Sequence, residues 1–300
     1  MKRMLKIGAV VVAALAVLAA GTLGLGVYLG ERKAQRVVQL DVPGLPALEQ
    51  PATAATVERG RYLYLSRGCT ECHGVDGAGR EFVNDGKGLV LRAPNITPGP
   101  RSSVAAYRPE DWVRTIRHGV KPDGRPAMIM PSEDYNRLTD ADLAAMVAYL
   151  RQMPPAEGRP AVISLPLPVK ALYGFHVLKD AAQKIDHRLP PPQPVAEGRS
   201  VEHGAYVAQM CIGCHGASLA GGKIPGAPPD WPPAANLTAV AGGGMSAYAS
   251  VERFAEMMRS GKRPDGTPVS PVMPFLALKE LNDTDVGALH LYLRSLPGVN

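Results

Sequence analysis

All four cysteines of this chain fall in two copies of one pentapeptide. The copies are Cys-Thr-Glu-Cys-His at 69–73 and Cys-Ile-Gly-Cys-His at 211–215, and a glycine follows each one. Four cysteines among 300 residues are too few for a disulfide-rich scaffold, so their spacing decides what they do. Because the pentapeptide recurs, we expect two structural units built around the same chemistry.

The Cys-x-x-Cys-His spacing is typical of covalent haem attachment. Two thiols separated by two residues can each form a thioether with a vinyl group of the porphyrin, and the following histidine can ligate the iron. A redox-active dithiol needs no histidine, and a zinc site would have to join two distant cysteine pairs. The sequence therefore predicts two covalently bound haem c groups. The predicted attachment residues are Cys69, Cys72, Cys211 and Cys214, with His73 and His215 as iron ligands.

Similarity between the two halves extends well beyond the cysteines. Residues 57–154 and 199–297 share Val-Glu-x-Gly, Asn-x-Thr, Arg-x-Gly, Pro-Asp-Gly, Met-Pro and Tyr-Leu-Arg in the same order. Each repeat of about 100 residues has the size of a domain. The shared Asn-x-Thr triplets are predicted to hydrogen-bond a loop near the haem rather than to carry glycans. The expected divisions are an N-terminal membrane segment at 1–36, domain 1 at 50–154, a proline-rich linker at 155–195 and domain 2 at 196–300.

The last segment of each repeat has a helical pattern. Thr139 stands at the N-cap position of this segment in the first repeat, and Asn282 stands there in the second. In the first repeat one apolar stripe is formed by Leu143, Met146, Val147 and Leu150. The segment before each cysteine pair is also predicted to be helical, whereas the intervening loops are rich in glycine and proline. Little in the sequence indicates strands. We therefore predict a mostly α fold with long loops wrapped around each haem.

The region between the repeats has the composition of a semi-rigid linker. Residues 154–194 contain nine prolines. An amphipathic stretch at 171–185 is expected to lie on neighbouring elements, and a position facing the membrane is the alternative.

A methionine occupies the same place in both repeats and is the predicted second axial ligand. Met130 and Met273 are each followed by proline, which restricts the loop that would present the sulfur. A thioether ligand favours Fe(II), which suits an electron carrier. Met128 and His118 are the nearby competitors for the first haem, but neither has an equivalent in the second repeat.

The N-terminus has the pattern of a membrane anchor. Lys2, Arg3 and Lys6 precede an uncharged run at 7–30, and 24 residues suffice to cross a hydrocarbon core of about 30 Å. The run is longer than the apolar region of a cleavable signal peptide, so an uncleaved anchor is expected and a removed signal is the alternative. Either way, the remaining chain is predicted to be exported.

The formal net charge of +6 does not indicate nucleic-acid binding. Six basic residues and one acidic residue fall within 1–36, so the rest of the chain is nearly neutral. Without a basic surface to neutralise phosphates, no nucleic-acid partner is expected.

These motifs resemble class I c-type cytochromes arranged in tandem. More narrowly, they are similar to the membrane-associated cytochrome c subunits of bacterial periplasmic alcohol, aldehyde and gluconate dehydrogenases. The resemblance is carried by Cys-x-x-Cys-His-Gly, Asn-Ile-Thr-Pro at 95–98, the Met-Pro pairs and the Leu-Thr-Asp-Ala-Asp-Leu run at 138–143. It covers about 57–154 and 199–297, and many of those subunits carry three haem motifs where this chain has two.

The resemblance implies an electron-transfer protein rather than an enzyme. The expected donor is a periplasmic dehydrogenase or a quinol-linked enzyme, and the acceptor a soluble cytochrome or a terminal oxidase. The protein is expected in the bacterial inner membrane as a single-pass chain, with its haem domains in the periplasm. A subunit of a terminal oxidase complex and a dihaem peroxidase are the alternative functions.

Overall fold

The computed structural model describes residues 2–228 and 230–299. The helices are α1 (Lys2–Ala34), α2 (Ala54–Ser66), α3 (Cys69–His73), α4 (Pro109–His118), α5 (Ser132–Tyr135), α6 (Asp140–Gln152), α7 (Leu167–Gly174), α8 (Ala181–Lys184), α9 (Val201–Val207), α10 (Ile212–His215), α11 (Val251–Ser260), α12 (Phe275–Leu278) and α13 (Asp283–Ser295). The strands are β1 (Glu81–Asn84), β2 (Val90–Arg92) and β3 (Val162–Ser164), and short 3-10 turns lie at Pro46–Leu48 and Ala208–Cys211.

The first and last helices of each repeat pack closely against each other. In the first repeat α2 crosses α6 at Gly60, where a Cβ would collide with the Ala145 carbonyl. In the second repeat α9 crosses α13 at Gly204, which faces the Ala288 carbonyl in the same way. The glycine of the shared Val-Glu-x-Gly motif therefore permits the close approach of two helix backbones.

The closing helices, α6 in the first repeat and α13 in the second, begin directly after the residues predicted to cap them. The Thr139 hydroxyl accepts a hydrogen bond from the Asp142 N–H at 3.2 Å, and the Asn282 side chain accepts one from the Asp285 N–H at 2.8 Å. Each cap satisfies a backbone donor that the first helical turn cannot pair. The predicted helices at the end of each repeat, and before each cysteine pair, are confirmed.

Each repeat encloses its own apolar core. The first core is centred on Leu63, Tyr64, Trp112, Val113, Ile116, Leu143, Val147 and Leu150. The second core is centred on Val207, Leu219, Phe254, Met258, Leu278, Leu289 and Leu293. The stripe predicted on α6 thus faces the first core, and the fold is mostly helical as predicted.

The linker does more than separate the repeats, and the sequence did not predict the strand that it contributes. Its strand β3 pairs antiparallel with β2, so that β1, β2 and β3 form one small sheet beside the first repeat. The helix α8 packs on α5, and Lys184 pairs with Glu133 at 2.5 Å. Strands of three or four residues are too short to show an alternation of apolar and polar side chains in the sequence. Their pairing with neighbouring strands defines them instead.

The N-terminal helix α1 is long and apolar. Among the residues described, it is the one helix that could cross a membrane by length and composition. Most of its side chains are exposed, but Gly26 and Gly30 near its end are buried against α7. This Gly-x-x-x-Gly spacing therefore packs on a helix of the same chain.

Candidate functional site

The two pentapeptides form equivalent short helices. The α3 helix holds the first motif, and α10 with the preceding 3-10 turn holds the second. The following glycines, Gly74 and Gly216, both have φ of 76°, a conformation that favours glycine. The carbonyls of His73 and His215 each accept a hydrogen bond of 2.9 Å from a glycine N–H six residues further on. Both motifs thus end in the same turn.

The structure orients both predicted iron-ligating histidines in the same way. His73 Nδ1 donates to the Pro94 carbonyl at 3.0 Å, and His215 Nδ1 donates to the Ala235 carbonyl at 2.8 Å. This bond fixes the tautomer and leaves Nε2 as the nitrogen for a metal, as in many metal-binding histidines. Burial lowers the pKa of both imidazoles below the ordinary value, although the carbonyl bond partly offsets it. The neutral imidazole that a haem iron requires is therefore favoured at both positions.

The shared Asn-x-Thr triplets hold the loop that carries these carbonyl acceptors. The Asn95 side chain accepts from the N–H and hydroxyl of Thr97 at 2.8 Å and donates to the Ala156 carbonyl at 3.0 Å. Asn236 accepts from Thr238 in the same pattern and donates to Val299 O at 2.7 Å. Each triplet thus ties the loop beside the histidine to the chain beyond the last helix. The buried Asn95 agrees with the prediction of a hydrogen-bonding role.

The two predicted methionine ligands occupy equivalent loops. Met130 and Cys69 are both half-buried against the first core, and Met273 and Cys211 are both half-buried against the second core. The carbonyl of each methionine accepts a hydrogen bond from the N–H two residues later, at 2.9 Å in the first repeat and 2.8 Å in the second. These bonds begin α5 and α12, so both loops are held alike. Ligation by the two sulfurs stays a prediction.

The competing ligand His118 has another partner. Its Nδ1 lies 3.1 Å from Nδ1 of His187 in the linker, and the His187 Nε2 donates to the Ala182 carbonyl at 2.9 Å. The ring of His118 is therefore turned toward the linker helix α8. This arrangement favours Met130 over His118 as the second ligand in the first repeat.

The cysteines do not have the surroundings of a thiol or zinc site. Burial raises the pKa of Cys69 and of Cys211 to about 12, opposite to the lowered pKa of redox-active thiols. Among residues 2–228 and 230–299, no three His, Cys, Asp or Glu side chains cluster as a metal ion would require. The burial and the raised pKa of these thiols disfavour a redox-active dithiol.

Two hydrogen-bonded pairs join the repeats with approximate twofold symmetry. Tyr62 of α2 donates to Asp285 of α13 at 2.6 Å, and Tyr206 of α9 donates to Asp142 of α6 at 2.7 Å. Each tyrosine oxygen also accepts from the backbone N–H of the residue that caps the partner helix. Each repeat therefore completes the N-terminal cap of the closing helix of the other.

The same symmetry brings each haem-attachment segment against the other repeat. The α12 helix of the second repeat contacts α3, and the α5 helix of the first repeat contacts α10. The contact at α10 is close, because a Cβ on Gly213 would come within 2.7 Å of an Asp134 carboxylate oxygen. The short helix after each predicted methionine ligand thus packs beside the cysteine motif of its partner repeat.

A buried ion pair lies at the centre of this interface. Arg67 Nη2 of the first repeat donates to Asp285 at 2.6 Å, and His203 Nε2 lies 2.7 Å from the other oxygen of the same carboxylate. Both side chains are almost fully buried. Burial alone would raise the pKa of Asp285, but the charge of Arg67 and the hydrogen bonds to the carboxylate hold it below its ordinary value.

Comparison with known proteins decides the family. The cytochrome c family model matches residues 57–154 and residues 201–297. The chain belongs to the cytochrome c family. The prediction of two tandem cytochrome c domains is confirmed, as is that of an electron-transfer cytochrome. Cytochrome c domains carry covalently bound haem c, which agrees with the fit of the histidine and cysteine surroundings described above.

Three relatives illustrate which cytochromes this chain resembles. The fructose dehydrogenase cytochrome subunit of Gluconobacter japonicus is 28% identical over 284 residues, covering 86% of this chain and 56% of that protein. The cytochrome c subunit of the quinone alcohol dehydrogenase of Gluconobacter oxydans is 26% identical over 273 residues, covering 83% of this chain and 56% of that protein. A dihaem c-type cytochrome of Cereibacter sphaeroides is 24% identical over 274 residues, covering 80% of this chain and 86% of that protein. This chain spans little more than half of the two dehydrogenase subunits.

Sequence reasoning missed the residues that join the two repeats. A signal was present, since a tyrosine follows the packing glycine by two residues in both repeats, at Tyr62 and Tyr206. The matching acceptors, Asp142 and Asp285, also recur at one position. Arg67 has no such signal, because the second repeat has Gln209 at the equivalent position.

Proposed function

We propose that this chain is a membrane-anchored dihaem cytochrome c that passes single electrons on the periplasmic side. Its donor is a periplasmic dehydrogenase, and its electrons go toward the respiratory chain. The names of the two dehydrogenase subunits support the donor class. The apolar helix α1 supports the anchor, and export of the remaining chain provides the compartment in which haem c is attached.

In this proposal the cysteine motifs and the methionine loops hold the two haem groups. When bound, haem c supplies a one-electron Fe(III)/Fe(II) couple. Cys69 and Cys72 would attach the first group and Cys211 and Cys214 the second. The residues that would ligate the two irons are His73, Met130, His215 and Met273. With both axial positions filled by protein, these sites would carry electrons without binding a substrate at iron.

The mutual packing of the repeats is the observation that carries the relay proposal. Because α3 contacts α12 and α10 contacts α5, both cysteine motifs lie at the interface between the two repeats. The Tyr–Asp pairs and the Arg67–Asp285 ion pair hold this arrangement from both sides. A fixed interface of this kind supports electron transfer within one chain, since no docking step separates the two centres.

The test is purification of the protein from its native membranes in mild detergent. We expect two covalent haem groups per chain and a dehydrogenase catalytic subunit in the same fraction. Addition of that enzyme's substrate should then reduce both haem groups, and absorption spectroscopy monitors this reduction. The variant Cys211→Ala/Cys214→Ala serves as a control, because it should retain one haem group.

Other outcomes separate the competing functions. Subunits of a terminal oxidase in the purified fraction would replace the dehydrogenase by an oxidase complex as the partner. A high-spin haem in the resting spectrum, together with rapid reduction of peroxide, would identify a peroxidase. A colourless polypeptide without covalent haem would overturn the proposal altogether.

A further inference from the structure

The helix α7 of the linker is fixed against the end of α1. A Cβ on Gly30 would collide with the Lys170 carbonyl, and a Cβ on Gly174 would collide with the Gly26 carbonyl. Ala171 also lies against Gly26. The two helices therefore approach as closely as helices can, through small residues on both sides.

A polar network stabilises the same junction at the C-terminal end of α1. The Lys33 ammonium donates to the Tyr173 carbonyl at 2.7 Å and to the Leu178 carbonyl at 3.0 Å. Arg36 donates through two nitrogens to both oxygens of Asp180, at 2.7 and 2.8 Å, and Tyr173 donates to the same carboxylate at 2.6 Å. The α1 helix is thus a structural part of the linker rather than a free tether.

The position of this junction along α1 determines its depth in a bilayer. The uncharged run at 7–30 is about 36 Å long at 1.5 Å per residue, slightly more than a hydrocarbon core of about 30 Å. Gly26 and Gly30 lie in the last turns of this run. If α1 spans the membrane, α7 must therefore lie at the boundary between the hydrocarbon core and the headgroups.

Apolar side chains on α7 and in the turn that follows it are exposed beside α1. Leu167, Leu172, Phe175 and Val177 are exposed, and the ring of Phe175 also contacts Gly26 of α1; we call these four side chains the α7 face. The one basic side chain within α7, Lys170, is paired with Glu31 of α1 at 3.2 Å. An exposed apolar face beside a membrane-spanning helix continues the lipid-facing surface of that helix.

We propose that the α7 face is inserted in the periplasmic leaflet of the membrane and contacts lipid acyl chains. This inference rests on the proposed anchoring of the chain by α1. The occupant is the bilayer, because the face adjoins the apolar surface of α1 at the level where that surface leaves the hydrocarbon core. Together with the polar network, this second contact holds the haem repeats at a fixed height and orientation above the membrane.

The experiment compares two introduced cysteines in the full-length protein. Leu172 on the α7 face is 42% exposed, and Leu291 on α13 of the second repeat is 43% exposed, so Leu172→Cys and Leu291→Cys are a matched pair. Each variant is reconstituted in vesicles of phosphatidylethanolamine and phosphatidylglycerol and treated with a charged, membrane-impermeant maleimide. Each labelling rate is divided by the rate for the same variant after denaturation, and protein without an added cysteine gives the background.

We expect Leu172→Cys to be labelled about tenfold more slowly than Leu291→Cys in these vesicles. Absorption spectra and alkaline carbonate extraction confirm that both variants carry haem and remain in the membrane. Equal labelling of the two cysteines in membrane-retained protein would overturn the proposal. Protection of Leu172→Cys in native membranes but not in pure lipid vesicles would also overturn it, because a partner protein would then cover the face. Release of the protein by carbonate would instead contradict the proposed anchoring.

Discussion

Asp142 of the first repeat and Asp285 of the second occupy the same position near the start of a closing helix, yet they are neutralised differently. Asp142 pairs through both oxygens with Arg59 of its own repeat, at 2.9 and 3.0 Å, and Arg59 remains partly exposed. Asp285 is fully buried and takes its arginine, Arg67, from the other repeat. The second repeat has His203 where the first has Arg59.

This difference makes the second repeat dependent on the first. An unpaired carboxylate is costly to bury, and Arg67 lies across the interface. The first repeat has no corresponding need, because Arg59 belongs to the same unit as Asp142. The two repeats have therefore diverged: the first supplies the arginine that neutralises a buried carboxylate of the second.

The methionine loops are the sharpest test of how far the repeats remain equivalent. In Met130→Leu and in Met273→Leu we expect loss of the weak long-wavelength sulfur-to-iron band of one haem. The potential of that haem should fall by on the order of 0.2 V, because a thioether favours Fe(II) and axial ligands tune potentials over about 0.8 V. Absorption spectroscopy and potentiometric titration measure both effects.

The control for this pair is Met128→Leu, which changes a methionine in the same loop as Met130 and should leave both bands intact. If the repeats are equivalent, each single variant removes about half of the band intensity. A double variant, Met130→Leu with Met273→Leu, that keeps the whole band would rule out methionine ligation in both repeats.

The buried ion pair gives the next largest expected effect. Arg67→Met should lower the free energy of unfolding by about 3–5 kcal/mol, because it removes the arginine charge that pairs with the buried Asp285 carboxylate. Arg59→Met should lower the free energy of unfolding less, by about 1 kcal/mol, because Arg59 remains partly exposed to solvent. Both changes in the free energy of unfolding are measured by guanidinium unfolding of the haem-loaded protein in detergent, with circular dichroism as the signal. Equal costs would show that the two carboxylates are neutralised alike.

The pH dependence of stability tests the same pair. The pKa of Asp285 is depressed in the folded state, so its ionised form contributes stability above the unfolded value of about 3.9. That contribution is lost as the pH falls below this value toward the folded pKa. Asp285→Asn should therefore show a smaller loss of stability in this acid range than the parent protein. An unchanged acid transition would mean that other carboxylates control it.

Local sequence patterns were enough to predict the elements that close each repeat. The caps at Thr139 and Asn282 and the apolar stripe on α6 depend on residues within one or two helical turns. These features could be inferred without knowledge of distant contacts. The carbonyl that accepts from His73 or His215 precedes the asparagine of each Asn-x-Thr triplet, but this hydrogen bond joins residues 20 or 21 positions apart and the sequence did not predict it.

The features that local patterns did not predict depend on contacts between distant parts of the chain. Strand β3 forms because Val162–Ser164 meets the free edge of β2, and nothing in three residues specifies that meeting. The packing of α7 on Gly26 and Gly30 joins residues about 140 positions apart. Arg67 precedes a predicted haem site and appears unremarkable until Asp285 is placed beside it.

The smallest expected difference between the repeats concerns access of solvent to the cysteine motifs. Cys214 and Gly216 are exposed, whereas Cys72 and Gly74 are half-buried beside the β1–β2 hairpin. A small reductant should therefore reach the second haem more readily, by roughly threefold in rate, because the protein shell controls solvent access to such a site.

The methionine variants allow this rate to be assigned to one haem at a time. In Met130→Leu the remaining long-wavelength band belongs to the second haem, and in Met273→Leu it belongs to the first. Stopped-flow decay of that band then compares two centres that each retain a His–Met ligand pair. The comparison is repeated with a neutral and an anionic reductant, because local charge would change the ratio between reagents whereas exposure would not. Equal rates with both reagents would mean that the hairpin beside the first repeat does not shield its haem.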